Sequence, residues 1–157
     1  MKNLSDVEVY RNELRKKYLL GAEFKESVVA TGGVDHLALI SSDLKATTEF
    51  YTTVLQMRLV KVMANRDEPT STHIFLDMGG GNMLAFFDFP KHGKERTTRG
   101  VGSMHHVALK SGETQFRELI VRLKDRGIPY SLHGTEGQGS IYLRDPDNIQ
   151  VEVTTGY

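Results

Sequence analysis

Three residues of this chain have the type and placement to hold a divalent metal: His36, His106 and Glu152. His36 stands in Val34-Asp35-His36-Leu37-Ala38-Leu39-Ile40. The alternation of that run predicts a strand with His36 and Ala38 on one face and Leu37 and Leu39 on the other. The run Met104-His105-His106-Val107-Ala108-Leu109 repeats the pattern 70 residues further on, with His106 and Ala108 sharing a face. In the last such run Gln150, Glu152 and Thr154 alternate with Val151 and Val153. Each apolar face can pack on a helix, which leaves the ligand-type residues on the other side of the sheet. Two histidines and one carboxylate with open positions suit non-haem Fe(II), and Mn(II) accepts the same set. Any one of the three alone reads as a core histidine or an edge-strand acid, and the repetition is what points to a metal. His105 is the rival of His106, but alternation places it with Asp35 on the helix side.

The elements that must position these residues occur in two rounds. Residues 34–40 form a strand, and Ser41-Ser42-Asp43 can cap a helix running through Ala46 to Leu55, with Phe50, Tyr51, Val54 and Leu55 as its buried stripe. Strands are predicted at Arg58–Met63, Thr72–Met78 and Asn82–Phe89, with Gly79-Gly80-Gly81 as a hairpin turn. The second round has a strand at Met104–Leu109 and a helix from Thr114 to Arg126 stopped by Gly127. Strands then follow at Pro129–Leu132, Ser140–Leu143 and Ile149–Thr154. Strand, helix and three strands therefore occur twice, as in an internal duplication. The expected architecture is α+β: two tandem βαβββ modules whose non-helix faces curve into one cup if they pair about a pseudo-twofold axis.

The expected divisions are an N-terminal helical extension (1–33), a first module (34–89), a linker (90–102) and a second module (103–157). In the extension Ser5 and Glu8 read as a capping box, Val7, Tyr10, Leu14 and Tyr18 recur at helical spacing, and Gly21 is a stop. The linker's Lys91, Lys94, Arg96 and Arg99 read as a solvated loop, with an anion-binding lid as the alternative.

Composition narrows the function classes. Lys plus Arg equals Asp plus Glu at 20 each, which gives no reason to expect nucleic acid or an anionic membrane as a partner. There are no cysteines, so disulfides, thiolate ligands and cysteine nucleophiles are excluded. No apolar run approaches a membrane span and the N-terminus lacks a secretory h-region, so a cytoplasmic protein is expected.

Over residues 34–155 the chain resembles the vicinal oxygen chelate superfamily, which includes glyoxalase, bleomycin-resistance proteins, fosfomycin-resistance proteins and extradiol ring-cleaving dioxygenases. DHLAL…FYTTVLQM, MHHVAL and IYLRDPDNIQVEV carry the resemblance. The extradiol branch is the most similar: His133, then Ile141-Tyr142, Asp145-Pro146 and Glu152 follow its signature, with Ser131 and Asn148 as departures. That resemblance implies that His133 and Tyr142 hydrogen-bond the metal-bound substrate or oxygen. It also implies a catalytic histidine where this chain has Asn82, so His73 or His92 would have to take over proton transfer. Met83, Phe87 and Phe89 share a face with Ala85 and are candidates to line the substrate pocket. The duplication aligns Glu152 with Ala85, so the fourth protein ligand of glyoxalase-like sites is missing.

The resulting expectation is an Fe(II)-dependent extradiol-type dioxygenase that acts on a catechol or related small aromatic diol with O2, as a homo-oligomer. The alternatives are a metal-dependent glyoxalase-, epimerase- or thiol-transferase-like enzyme on the same fold, and a non-enzymatic small-molecule-binding resistance protein.

Overall fold

The structure is a computed structural model and describes residues 4–19, 31–93 and 95–156. It divides into two units, Met1–Gly33 and Val34–Tyr157. The first contains helix α1 (Leu4–Tyr18). Ser5 lies inside α1 rather than capping it, and Glu8 bonds Arg11 and Arg15 one and two turns on, at 3.1 and 2.6 Å. A side chain held by two guanidinium groups cannot turn back to close a capping box. Val9, Tyr10, Leu14 and Tyr18 are exposed. Gly21 falls outside the described residues.

The second unit repeats one motif. Its first half is β1 (His36–Ile40), α2 (Leu44–Thr53), β2 (Arg58–Ala64), β3 (Thr72–Gly79) and β4 (Asn82–Phe87). Its second half is β5 (Val107–Lys110), α3 (Glu113–Asp125), β6 (Tyr130–Gly134), β7 (Gly139–Arg144) and β8 (Gln150–Thr154). The fold is α+β, with two four-stranded sheets of matching order, β1-β4-β3-β2 and β5-β8-β7-β6. In each, the first strand runs parallel to the last and the others pair antiparallel.

Local chemistry explains the element ends. The Asp43 carboxylate accepts from Lys45 N and Ala46 N and starts α2. Gly79, Gly80 and Gly81 all have positive φ, which lets the β3–β4 hairpin turn without Cβ strain. Asn148 turns β7 into β8 at φ 67, a conformation Asn tolerates better than most residues.

One core serves both halves. Tyr51, Val54, Ile74, Leu76, Leu84 and Phe86 from the first join Phe116, Leu119, Leu123, Ile141, Leu143 and Val151 from the second. Polar clasps fix how the halves meet. Tyr51 Oη donates to Asp145 Oδ2 at 3.1 Å, Ser42 donates through backbone and hydroxyl to Asp147, and Arg122 Nε donates to Val54 O at 3.0 Å. Desolvation is what makes these contacts demanding. Burial pushes the Asp145 carboxyl up to about 6 from 3.8, against hydrogen bonds that lower it. Burial, and then the charge of Asp145, hold the Tyr51 phenol far above its ordinary range. No helix among the described residues is long and apolar enough to cross a membrane.

Candidate metal centre

Strand register decides which side chains meet on the faces that carry no helix. In the second sheet Ala108 pairs with Glu152, and Glu152 pairs with Tyr142 on β7. His106 immediately precedes β5, and its Nε2 stands 2.9 Å from Glu152 Oε2. The Tyr142 ring lies edge-on to His106 at 6.0 Å and to His133 on β6 at 5.4 Å. Glu152 has no exposed surface. A carboxylate removed from water costs several kcal/mol unless a cation or metal compensates it. His106, Tyr142 and His133 line a cavity of about 530 Å³ together with His105, Ser140 and Gln150.

The distance between His106 and Glu152 tests the fit of a metal. Nitrogen and oxygen ligands at about 2.1 Å from a divalent ion, held at a right angle, are about 3.0 Å apart. The observed 2.9 Å agrees with that spacing. Imidazole and carboxylate are also the donor types that iron and manganese share. This half of the set fits a divalent metal.

His36 opens β1 on the other sheet, where register aligns it with Met83, and Ala38 with Ala85 and then Phe75. Its ring is 5.5 Å from Phe75 and 6.4 Å from His73, both edge-on. His73 stacks on Phe87 at 3.6 Å, and Phe87 stacks on Phe89 at 5.3 Å. The face beside His36 is therefore aromatic, while the face beside His106 carries Glu152, Tyr142 and Ser140. Nε2 of His73 is buried without a hydrogen-bond partner among the described residues. Burial, and then the charges of His36 and Lys61, hold this imidazole below the ordinary histidine range. Lys61 Nζ sits over the Phe75 ring at 5.1 Å.

The candidate residues thus gather in two groups. His106, Glu152, Tyr142 and His133 come together on the second sheet. His36, His73, Met83, Ala85, Phe87 and Phe89 gather around the first. Among the described residues no three His, Asp or Glu side chains converge closely enough to hold a metal. Asn82 joins neither group. The alternation of β4 puts it with Leu84 and Phe86, and its amide donates to Gly80 O at 3.2 Å. His92 packs on Phe89 at 5.4 Å, and both line a second cavity of about 920 Å³ that meets the first at His105 and Gln150. In the segment 88–105 Lys91 meets Glu68 and Arg99 reaches Gln150, while Lys94 lies outside the described residues.

His105 corrects a reading of the sequence. Its side chain does not point to the helix side: it is exposed, and its Nδ1 lies 2.7 Å from Nδ1 of His106. Both residues precede β5, so the strand's alternation does not govern them. Asp35 makes the corresponding contact in the first half, Oδ1 to Nδ1 of His36 at 2.7 Å. Sequence reasoning passed over both contacts, although the signal was there: each ligand-type histidine follows a hydrogen-bonding residue at the duplicated position.

Comparison with known proteins identifies the family and the fold. The family described as Glyoxalase/Bleomycin resistance protein/Dioxygenase superfamily matches residues 33–153. Two proteins of Bacillus subtilis (strain 168) are similar in sequence. "Putative ring-cleaving dioxygenase MhqO" is 30% identical over 129 residues, covering 78% of this chain and 40% of its own. "Putative ring-cleaving dioxygenase MhqE" is 25% identical over 126 residues, covering 78% and 41%. The chain thus spans about two fifths of the length of these relatives. Among solved structures, a glyoxylase/bleomycin resistance protein/dioxygenase domain from Frankia sp. EAN1pec superposes with a TM-score of 0.70 at 20% identity, covering 82% of this chain and all of that one. A point mutant of the fosfomycin resistance protein FosX from Listeria monocytogenes, complexed with Mn(II) and 1S,2S-dihydroxypropylphosphonic acid, gives 0.60 at 23% identity, covering 81% and 94%. At these identities the two structures establish a shared fold. With the family matched over most of its length, the chain belongs to the glyoxalase/bleomycin resistance/dioxygenase superfamily.

Proposed function

We propose that this chain is an Fe(II)-dependent ring-cleaving dioxygenase of the extradiol type, acting on a catechol or a related small aromatic diol. His106 and Glu152 would hold the metal together with His36 of a second copy. The observation that carries the reading is the His106–Glu152 pair at ligand spacing, beside Tyr142 and His133 in one cavity. The third ligand is assigned to a second copy because His36 lies on the other sheet and no group of three ligands converges among the described residues of one chain. Two-fold pairing of sheet faces would create two equivalent sites. The relatives named as ring-cleaving dioxygenases favour this chemistry over others on the fold.

Bound Fe(II) would supply adjacent open positions for the diol oxygens and O2. Both atoms of O2 enter the ring-opened product, so no external reductant is needed. The chain's own residues would do the rest. Phe75, Phe87, Phe89 and Met83 give the ring an apolar surface and exclude water. The Tyr142 hydroxyl and the His133 imidazole are hydrogen-bonding groups on the opposite side. His73, neutral at pH 7, can accept a diol proton and return it to the product.

Two measurements test this reading. The first loads the protein anaerobically with Fe(II), then adds a catechol panel and O2, and follows oxygen uptake and the yellow ring-opened product. Uptake of one O2 per diol is expected, and no uptake with any diol would sink the ring-cleavage chemistry. The second mixes His36→Ala and Glu152→Gln chains, each unable to bind metal tightly alone. A shared site regenerates about a quarter of the metal sites after random exchange of copies, whereas a site built within one chain regenerates none. The FosX likeness keeps a metal-dependent isomerase, lyase or thiol-transferase reading open. Turnover with Mn(II) in the absence of O2 would select it.

A further inference from the structure

The two histidines that belong to the proposed metal centre share a feature beyond their duplicated position. Nδ1 of His36 lies 2.7 Å from Oδ1 of Asp35, and Nδ1 of His106 lies 2.7 Å from Nδ1 of His105. In both halves the partner is the residue immediately before the histidine, at the start of the first strand. In both halves Nε2 is then the nitrogen left to face outward from the anchor, and for His106 it faces Glu152 at 2.9 Å.

Folding stability does not account for these contacts. The Asp35 side chain is 83% exposed, and an exposed ion pair adds little to folding. Neither Asp35 nor His105 packs in the core. What the contacts do fix is the rotation of each imidazole and, for His36, the nitrogen that carries its proton. A carboxylate has no proton to give at neutral pH, so the 2.7 Å contact with Asp35 puts the proton of neutral His36 on Nδ1 and leaves the Nε2 lone pair free. His105 is an imidazole and can either accept from or donate to Nδ1 of His106. Without a metal, the Glu152 carboxylate at 2.9 Å draws the proton of neutral His106 to Nε2, so His105 donates to Nδ1; a metal at Nε2 would reverse the pair, with the proton on Nδ1 and His105 as its acceptor.

We propose that Asp35 and His105 are matched positioning residues, each holding Nδ1 of the following histidine so that its Nε2 lone pair points at the metal. The inference rests on the metal reading above and goes beyond it by naming the residues that orient two of the three ligands. A hydrogen-bonded partner on a metal-binding histidine is worth about 10- to 100-fold in metal affinity. Asp35→Ala and His105→Ala are therefore each expected to weaken binding by about that factor, without abolishing it. Asp35→Asn and His105→Asn each keep an acceptor and are expected to recover most of the loss.

The experiment titrates the metal-free protein with Fe(II) and, as a spectroscopic probe, Co(II) against a competing chelator. It also records the Co(II) absorption bands, which report ligand geometry, and the melting temperature of the metal-free chain. Support is a 10- to 100-fold loss for the alanine variants, altered Co(II) bands, recovery in the asparagine variants and an unchanged metal-free melting temperature. If the alanine variants bind as tightly as the natural chain while His106→Ala abolishes binding, the positioning role falls and the metal site stands. Asparagine variants as weak as the alanine ones would also overturn it, because the hydrogen bond would not be the cause. If His36→Ala and His106→Ala both keep full metal affinity, the metal reading itself falls.

Discussion

Replacing Asp145 by Asn should change the pH dependence of stability in one calculable direction. The Asp145 side chain is 5% exposed and joins the two halves of the fold. One carboxylate oxygen accepts from the backbone N–H groups of Asp147 and Ile149 at 3.0 and 2.7 Å, and the other accepts from Tyr51 Oη at 3.1 Å. Its acidity in the fold is shifted from 3.8 up to about 6, with burial as the largest cause. The folded state therefore binds the Asp145 proton more tightly than the unfolded state. The stabilisation that follows is fully present below about pH 4 and is lost as pH rises through about 6. The difference between 3.8 and about 6 corresponds to something on the order of 3 kcal/mol. Asn keeps the acceptor for both backbone groups, can donate to Tyr51 Oη and has no charge to desolvate. Relative to the natural chain, Asp145→Asn should gain stability between pH 4 and pH 7 by on the order of 2–3 kcal/mol. Urea unfolding of both chains across that range measures the gap. A gap that stays flat would refute the assignment of the shift to burial, and a gap of opposite slope would mean that the fold stabilises the charged carboxylate.

Other substitutions probe the site directly. His36→Ala, His106→Ala and Glu152→Gln should each abolish tight stoichiometric iron binding, checked by metal analysis after anaerobic loading; full iron content in any of them removes that residue from the ligand set. Tyr142→Phe should retain iron but slow turnover by about one to two orders of magnitude, if one transition-state hydrogen bond is lost. Unchanged turnover with several catechols would reduce Tyr142 to packing. His73→Ala should lower turnover by about a hundredfold or more while iron content stays intact, whereas His92→Ala, in the other cavity, should do much less. Asn82→His should give little rate gain, because the alternation of β4 turns position 82 away from the face that carries Ala85; a large gain would show that the β4 faces are assigned wrongly.

The sequence alone determined the duplicated order of elements and the faces of the residues that lie within strands. These depend on local periodicity, and alternation along one strand fixes a face wherever the opposite face is buried. The same logic placed Met83, Ala85 and Phe87 on one face, and the β1–β4 register brings His36 beside them. It failed for His105, which precedes its strand and escapes the alternation that would have turned it toward the helix. It favoured His73 over His92 because His73 lies in a core strand and His92 in the linker, but only the β3–β4 register shows that His73 faces Phe87 and shares the side of His36. Nor could it foresee the clasp of Tyr51 on Asp145, a contact between residues 94 positions apart. Most of all, periodicity says nothing of how two sheets are disposed. Only the tertiary structure decided that His36 and the His106–Glu152 pair stand on separate sheets, because that depends on how two helix-covered faces share one core and not on any pattern within a strand.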